Sequence, residues 1–329
     1  MANIQKQFEQ FHDTIRMDYS RSAKLREKRD IILKRIKKHL AENGRPGFRR
    51  LLQGSYKMKT GVIPIEDLEY DIDVGLRFMF SEDDYSAAEV RKWVFEAVDG
   101  HTESVEEKGP CVRVTYADGY HVDLVIYAVW NDGAGTAQYR LAHKEDNWLP
   151  ANPPALIDFV KSARKPYRNT KDSCTQTDQF RRSVRALRRW DDKALPMVSE
   201  DKPTGLAFVL LSEKHLAPRT TLSGNPDDRA ALYDLACTAA NTVERIVAHK
   251  PTPQYEDMFG RISEAGMTKL LARFASLRDA LKKAGEEPDP VEACKMLQDE
   301  FGDDFPVPPP EDTAKKTNAP AVTVSSSSA

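Results

Sequence analysis

Two segments of this chain alternate apolar and polar side chains with a period of two, and both carry aspartate on the polar side. In EYDIDVGLRFMF, residues 69–80, Tyr70, Ile72, Val74, Leu76, Phe78 and Phe80 fall on one face. Asp71, Asp73, Gly75, Arg77 and Met79 fall on the other. Side chains two apart on a strand point the same way, so Asp71 and Asp73 stand together, opposite the core. In YHVDLVIYAV, residues 120–129, Val122, Leu124, Ile126 and Ala128 form the inward set and Asp123 lies on the far face. Taken singly, a DxD pair is more often the solvated face of an edge strand, and a lone strand aspartate is more often structural.

Together they say more. Adjacent carboxylates repel unless a cation lies between them, and hard oxygen ligands at this spacing suit Mg²⁺, with Mn²⁺ as the alternative. If the Asp123 strand neighbours the DxD strand, three carboxylates can hold two ions, the arrangement for in-line phosphoryl chemistry. Upstream, QGSYKMKTGV places Gly54-Ser55 at the end of a further predicted strand. A turn there offers backbone N–H groups and a hydroxyl to a phosphate.

The rest of the chain supplies the frame. Residues 5–42 read as one long helix, with Leu25, Ile32, Leu33, Ile36 and Leu40 at helical spacing and Gly44 and Pro46 as its stop. Strands follow near 48–54 and 69–80. Ser86 caps a helix over 87–98, and an Asp118-Gly119 turn joins strands near 111–117 and 120–129. Beyond residue 150 the pattern turns helical, with helices from Pro153 to about Lys165, 178–193, from Pro203 to about 217, 227–249, 262–284 and 290–300. From Phe305 the composition becomes Pro-, Ser- and Ala-rich, the signature of a disordered tail. At 329 residues the chain exceeds one typical domain. The predicted organisation is α+β over 1–150, an α-helical lobe over 151–305 closing a cleft, and a tail over 306–329.

Several function classes drop out. Lys and Arg number 49 against 51 Asp and Glu, so the balance gives no reason for bulk nucleic-acid or membrane binding. Cys111, Cys174, Cys237 and Cys294 are widely spaced with no CxxC pair, which argues against a stable zinc site and a disulfide framework. No apolar run reads as a secretory signal or a membrane span. A cytoplasmic protein, a monomer with no membrane partner, is the expectation.

Gly-Ser, then DxD, then a third Asp on a later strand resembles the polymerase-beta-like nucleotidyltransferase superfamily. Within it the chain is most similar to the DncV-like branch of the cGAS/DncV-like nucleotidyltransferases of bacterial anti-phage signalling (CBASS). The first helix resembles their spine helix, QGSYKMKT…EYDIDVG their glycine-serine loop and first metal strand, and YHVDLVIYA their third-carboxylate strand. DQFRRSVRALRRWDDK and KPTGLAFVLL resemble the paired helices around the nucleotide, and YRLAHKEDNWLPANPPALIDFV the bridge between halves. Two departures stand out. Arg188 occupies a helix position where many relatives carry Lys, and Thr204-Gly205 stands where relatives often have Ser-Ser or Ser-Tyr, which bears on base selectivity.

The resemblance implies a metal-dependent enzyme that joins two, or three, nucleoside triphosphates such as ATP and GTP into a cyclic second messenger, cyclic GMP-AMP among the candidates. Asp71, Asp73 and Asp123 are the expected catalytic and metal-binding residues. Gln53, Gly54, Ser55, Arg113, Arg188 and Thr204 are the expected nucleotide-binding set, with Arg113 toward the acceptor and Arg188 on the triphosphate. Arg181, Arg185 and Arg188 form a stripe that also reads as a solvated helix face. His121 has no assigned role. Other nucleotidyltransferases, acting on tRNA or a small molecule, and a silent nucleotide or RNA sensor would use the same scaffold. The tail, ending in Ala329, resembles the substrate of a ubiquitin-ligase-like conjugating partner in this branch.

Overall fold

A computed structural model describes residues 3–17, 23–65, 70–117, 119–195 and 199–309, with the side chains of 23–25, Tyr70, Asp71 and Tyr120 outside the description. The tail beyond 309, on which conjugation would act, and Asp118 of the expected turn lie outside the described residues.

The expected single helix over 5–42 is two. Helix α1 (Gln5–Ile15) ends where Arg16 turns to extended backbone, and α2 (Ala23–Glu42) starts after the break. Arg16 bridges Val62, and Ile63 N–H donates to the Ile15 carbonyl. The cause is packing. Ile4, Phe8, Phe11 and Ile15 bury in the core of the helical lobe, whereas Ile32, Leu33, Ile36 and Leu40 bury against the sheet. One straight rod cannot serve both cores, and Lys and Arg recurring on both sides mask the break in the sequence. It also moves α1 out of the first domain expected over 1–150.

Strand β1 (Phe48–Leu52) leads into the short helix α3 (Gly54–Met58), then β2 (Tyr70–Phe78). Helix α4 (Ala87–Val98) begins as expected, with Ser86 Oγ accepting from Glu89 N–H. Strands β3 (Ser104–Glu107), β4 (Val112–Tyr116), β5 (Tyr120–Asn131), β6 (Ala137–His143) and β7 (Asn147–Pro150) follow. Among the described residues these make one seven-stranded sheet, running β1-β2-β5-β4-β3, with β6 and then β7 continuing from β5. Strands β2 and β5 are parallel neighbours, while β4 and β6 pair antiparallel with successive halves of the same edge of β5. The alternation in the sequence holds: Ile72, Val74, Leu76 and Phe78 of β2 and Val122, Leu124, Ile126 and Ala128 of β5 are fully or almost fully buried, with α2 and α4 over them. The opposite face of β5 is also covered, since Val125, Tyr127 and Val129 cluster with Tyr139, Leu141, Cys111 and Ala151. Strands β3, β6 and β7 carried no clear period-two signal.

The second lobe comprises α5 (Pro153–Ala163), α6 (Gln179–Ala194), α7 (Gly205–His215), α8 (Asp228–Ala240), α9 (Glu264–Glu286) and α10 (Pro290–Phe301). Helix α8 stops at Ala240 rather than near 249. Asn241 caps its end, Glu244 takes a left-handed backbone, and the irregular chain after it is tied down by Arg245 donating to the Phe259 and Ile262 carbonyls. Phe305, where the composition changes, is fully buried against Phe8, Phe11 and Phe301, and Val307 still packs on this core beyond the boundary expected at 305. Buried aromatics of this size each contribute roughly 2–3 kcal/mol by removal from water. Among the described residues no helix is long and apolar enough to cross a membrane.

Candidate active site

The parallel pairing of β2 with β5 sets Asp73 directly beside Asp123, and Asp71 beside His121. No crossover can be read from alternation alone, so this register is what turns two polar faces into one site. On the other edge of β5, Arg113 of β4 lies opposite Asp123. Its Nε and Nη2 donate to the two carboxylate oxygens of Asp123, each at 2.8 Å. The fork of Arg113, a residue expected to meet the acceptor nucleotide, grips Asp123 on the side away from Asp73.

Strand β1 ends with Leu52 opposite Val74, which carries Gln53 and Gly54 across Asp73. Gly54 has φ +62°, and a Cβ there would stand 1.8 Å from Asp73 Oδ2. Any side chain at position 54 would occupy the space of the carboxylate. Gln53, at the head of α3, places its Oε1 to accept from Tyr127 OH at 3.1 Å. Ser55 opens the first turn of α3, and its carbonyl takes the Thr60 N–H at 3.1 Å.

These groups form one end of a cleft of about 500 Å³ between the lobes, a size suited to a nucleotide-sized ligand. Gln53, Gly54, Ser55, Asp73, Asp123, Arg188 and Thr204 all line it. Val125, Tyr127, Leu141 and Ala151 form its apolar floor, and Lys250, Thr252, Gln254 and Met258 its far wall. The far wall comes from the irregular stretch after α8, whose sequence has no periodic signal to mark it.

Helix α6 ties the lobes together, and its arginines are not a solvated face. Arg181 pairs with Asp178, the residue that caps the helix. Arg185 donates from Nη2 to the Lys59 carbonyl at 2.7 Å and from Nε to that of Gly61 at 3.1 Å. Arg189 reaches the Ile63 carbonyl at 2.6 Å. The chain leaving α3 is thus held by guanidinium groups from the other lobe. His12 of α1 meets Arg185 Nη1 at 2.6 Å. Burial, and then the charge of Arg185, push the His12 pKa down to about 2, so its neutral ring accepts that N–H. Arg188, half-buried, donates to the Thr60 carbonyl at 2.7 Å and lies along Gly205, where a Cβ would come within 2.9 Å of its Cζ. The departure at Gly205 therefore makes room for the departure at Arg188. Thr204 Oγ1 caps α7 by accepting from Ala207 N–H.

Among the described residues no group of three or more metal-ligating side chains gathers; Asp71 enters through its backbone position alone. Asp73 and Asp123 are hard oxygen donors. The neighbouring Cys111 thiol is pushed up to about 12 by burial and then by the charge of Asp123, so it stays protonated and offers no thiolate. The pair fits Mg²⁺ or Mn²⁺ and does not fit zinc.

Residues 48–127 match the family model described as cyclic GMP-AMP synthase DncV-like, nucleotidyltransferase domain. Solved structures agree over nearly the whole chain. Vibrio cholerae DncV cyclic AMP-GMP synthase, in complex with the linear intermediate 5′ pppA(3′,5′)pG, superposes with a TM-score of 0.74 at 14% identity, covering 91% of this chain and 96% of that one. Escherichia coli DncV bound to 3′-deoxy GTP gives 0.69 at 14% identity over 89% and 93%. Escherichia coli MS115-1 CdnC with ATP gives 0.64 at 16% identity over 92% and 98%. Residues 48–127 thus match a DncV-like nucleotidyltransferase domain, within an α+β fold that is similar to these solved structures almost from end to end.

Proposed function

We propose that this enzyme joins ATP and GTP, or another pair of nucleoside triphosphates, and closes the linear product into a cyclic dinucleotide that signals in anti-phage defence. The carrying observation is the in-register pair Asp73–Asp123 beneath Gly54, in a cleft of about 500 Å³ also lined by Val125, Tyr127 and Leu141. Asp71 and Asp73 would hold divalent ions with the donor triphosphate, and Asp123 would complete the site toward the acceptor hydroxyl. Mg²⁺ bound there would acidify that hydroxyl and neutralise the departing pyrophosphate. Ser55 and the first N–H groups of α3 face the donor phosphates from β1, and Arg188 adds a positive charge from α6. Val125, Tyr127 and Leu141 keep water from the reacting end. The linear intermediate bound by the Vibrio protein supports a stepwise route with one active site used twice.

The test is to incubate the protein with Mg²⁺ and each pair of NTPs and to identify products by mass. A cyclic dinucleotide is expected, and Asp73→Asn should cut its rate on the order of a thousandfold with the fold retained. A linear transfer product on tRNA or on a small acceptor would replace the reading with another nucleotidyltransferase. NTP binding with no turnover would replace it with a sensor.

A further inference from the structure

Four charged side chains lie in one row across the sheet. Asp73 of β2 pairs with Asp123 of β5, Asp123 with Arg113 of β4, and Arg113 with Glu106 of β3. Directly opposed residues share a face, so the row reads minus, minus, plus, minus. Asp123 is almost enclosed, with 11% of its side chain exposed. A carboxylate there needs a cation, because a buried charge left unpaired is costly. The Arg113 fork supplies one, taking both oxygens of Asp123 in bidentate geometry. An ion binding Asp123 from the cleft must share both oxygens with those N–H donors and meet the positive charge of the guanidinium across the carboxylate. The lining of the cleft includes Asp73 and Asp123 but not Arg113, so the guanidinium acts from behind the carboxylate.

We propose that Arg113 is a resident counter-ion that competes with the divalent ion for Asp123, so that the metal position served by Asp123 loads more weakly than the one served by the DxD strand. The inference rests on the metal-dependent reading above. Glu106 faces Arg113 from β3 on the side opposite Asp123, and its own carboxylate accepts from Lys108 Nζ and Ser104 Oγ. The alternative is that Arg113 merely orients Asp123 for the ion. The two roles predict opposite signs: removing a competitor tightens metal binding, and removing an orienting group loosens it.

The experiment is Mn²⁺ titration of the full chain without nucleotide, followed by the electron paramagnetic resonance of free Mn²⁺. Arg113→Gln should bind Mn²⁺ about tenfold more tightly than wild type, the scale set by one charge-assisted hydrogen-bonded pair. Arg113→Lys keeps the positive charge and should gain much less. Adding Asp123→Asn to Arg113→Gln should erase the gain. An unchanged or weaker affinity in Arg113→Gln, or an equal gain in Arg113→Lys, overturns the counter-ion. If Asp73→Asn leaves Mn²⁺ binding intact, the metal site itself is wrong, which is a separate failure. A measurement on the wild-type protein guards against a misfolded variant. With ¹⁵N-labelled arginine, the Nε–H resonance that Arg113→Lys removes should shift as Mg²⁺ is added. A resonance unmoved at saturating Mg²⁺ also overturns the proposal.

Discussion

One methyl group at position 54 would collide with the carboxylate that β2 aims at it. Gly54 serves twice, through its left-handed backbone and through the empty space beside Asp73. Gly54→Ala should therefore displace Asp73 and lower turnover by about a hundredfold or more, the usual consequence of an ångström-scale misplacement. Melting should fall only modestly, since α3 is short and half-exposed. Steady-state nucleotidyl transfer beside a thermal melt checks this, and near-normal activity would separate Gly54 from the site. At this scale the sequence was legible in part. Gly54-Ser55, Asp71, Asp73 and Asp123 could be named from strand alternation and from likeness to known motifs. The partner of Arg113 could not, because a side chain's cross-strand neighbour depends on register, which no local pattern specifies.

Helix α6 shows what a single element does between two lobes. Its arginines at 185, 188 and 189 all end on backbone carbonyls of 59–63, yet they differ in exposure and so should fail differently. Arg185 is 4% exposed, and Arg185→Ala would strand the Lys59 and Gly61 carbonyls and leave His12 without its donor. A loss of about 3 kcal/mol or more in stability is expected, at roughly 1–3 kcal/mol for each of the three groups left unpaired. If Arg188 holds phosphate as proposed, Arg188→Ala should leave the melt nearly unchanged and raise the KM for NTP by about ten- to a hundredfold. Chemical denaturation and initial rates on both variants decide the matter. The reverse pattern, a stable Arg185→Ala and an unfolded Arg188→Ala, would refute this division of roles. In the sequence these residues read as a stripe that solvent would serve equally well, because helical spacing reports which residues share a face and not what faces them.

Across the whole molecule, the core of the helical lobe is fastened by α1 and by the segment that follows α10. Ile4, Phe8 and Phe11 from the N-terminal helix interlock with Phe301 and Phe305 from the end of the last helix and beyond. Phe305→Ala should cost about 3–5 kcal/mol, as deletion of a fully buried ring does. A denaturant midpoint within error of wild type would show that the ring closure is dispensable. The strands of the central β2–β5 pair, most helix positions and the division into an α+β half and a helical half followed from local periodicity and capping. These signals survive in sequence because they repeat every two or every 3.6 residues. Sequence alone also named the three aspartates as candidates, with the kind of ion their chemistry would suit. Tertiary structure decided what is not periodic. It broke the first helix, because its two halves serve different cores. It set Asp73 beside Asp123 through a parallel pairing across intervening elements. It built the far wall of the cleft from an irregular stretch, and it gave Asp123 to Arg113, because the field at a buried carboxylate is determined by whichever groups the whole fold brings within a few ångströms of it.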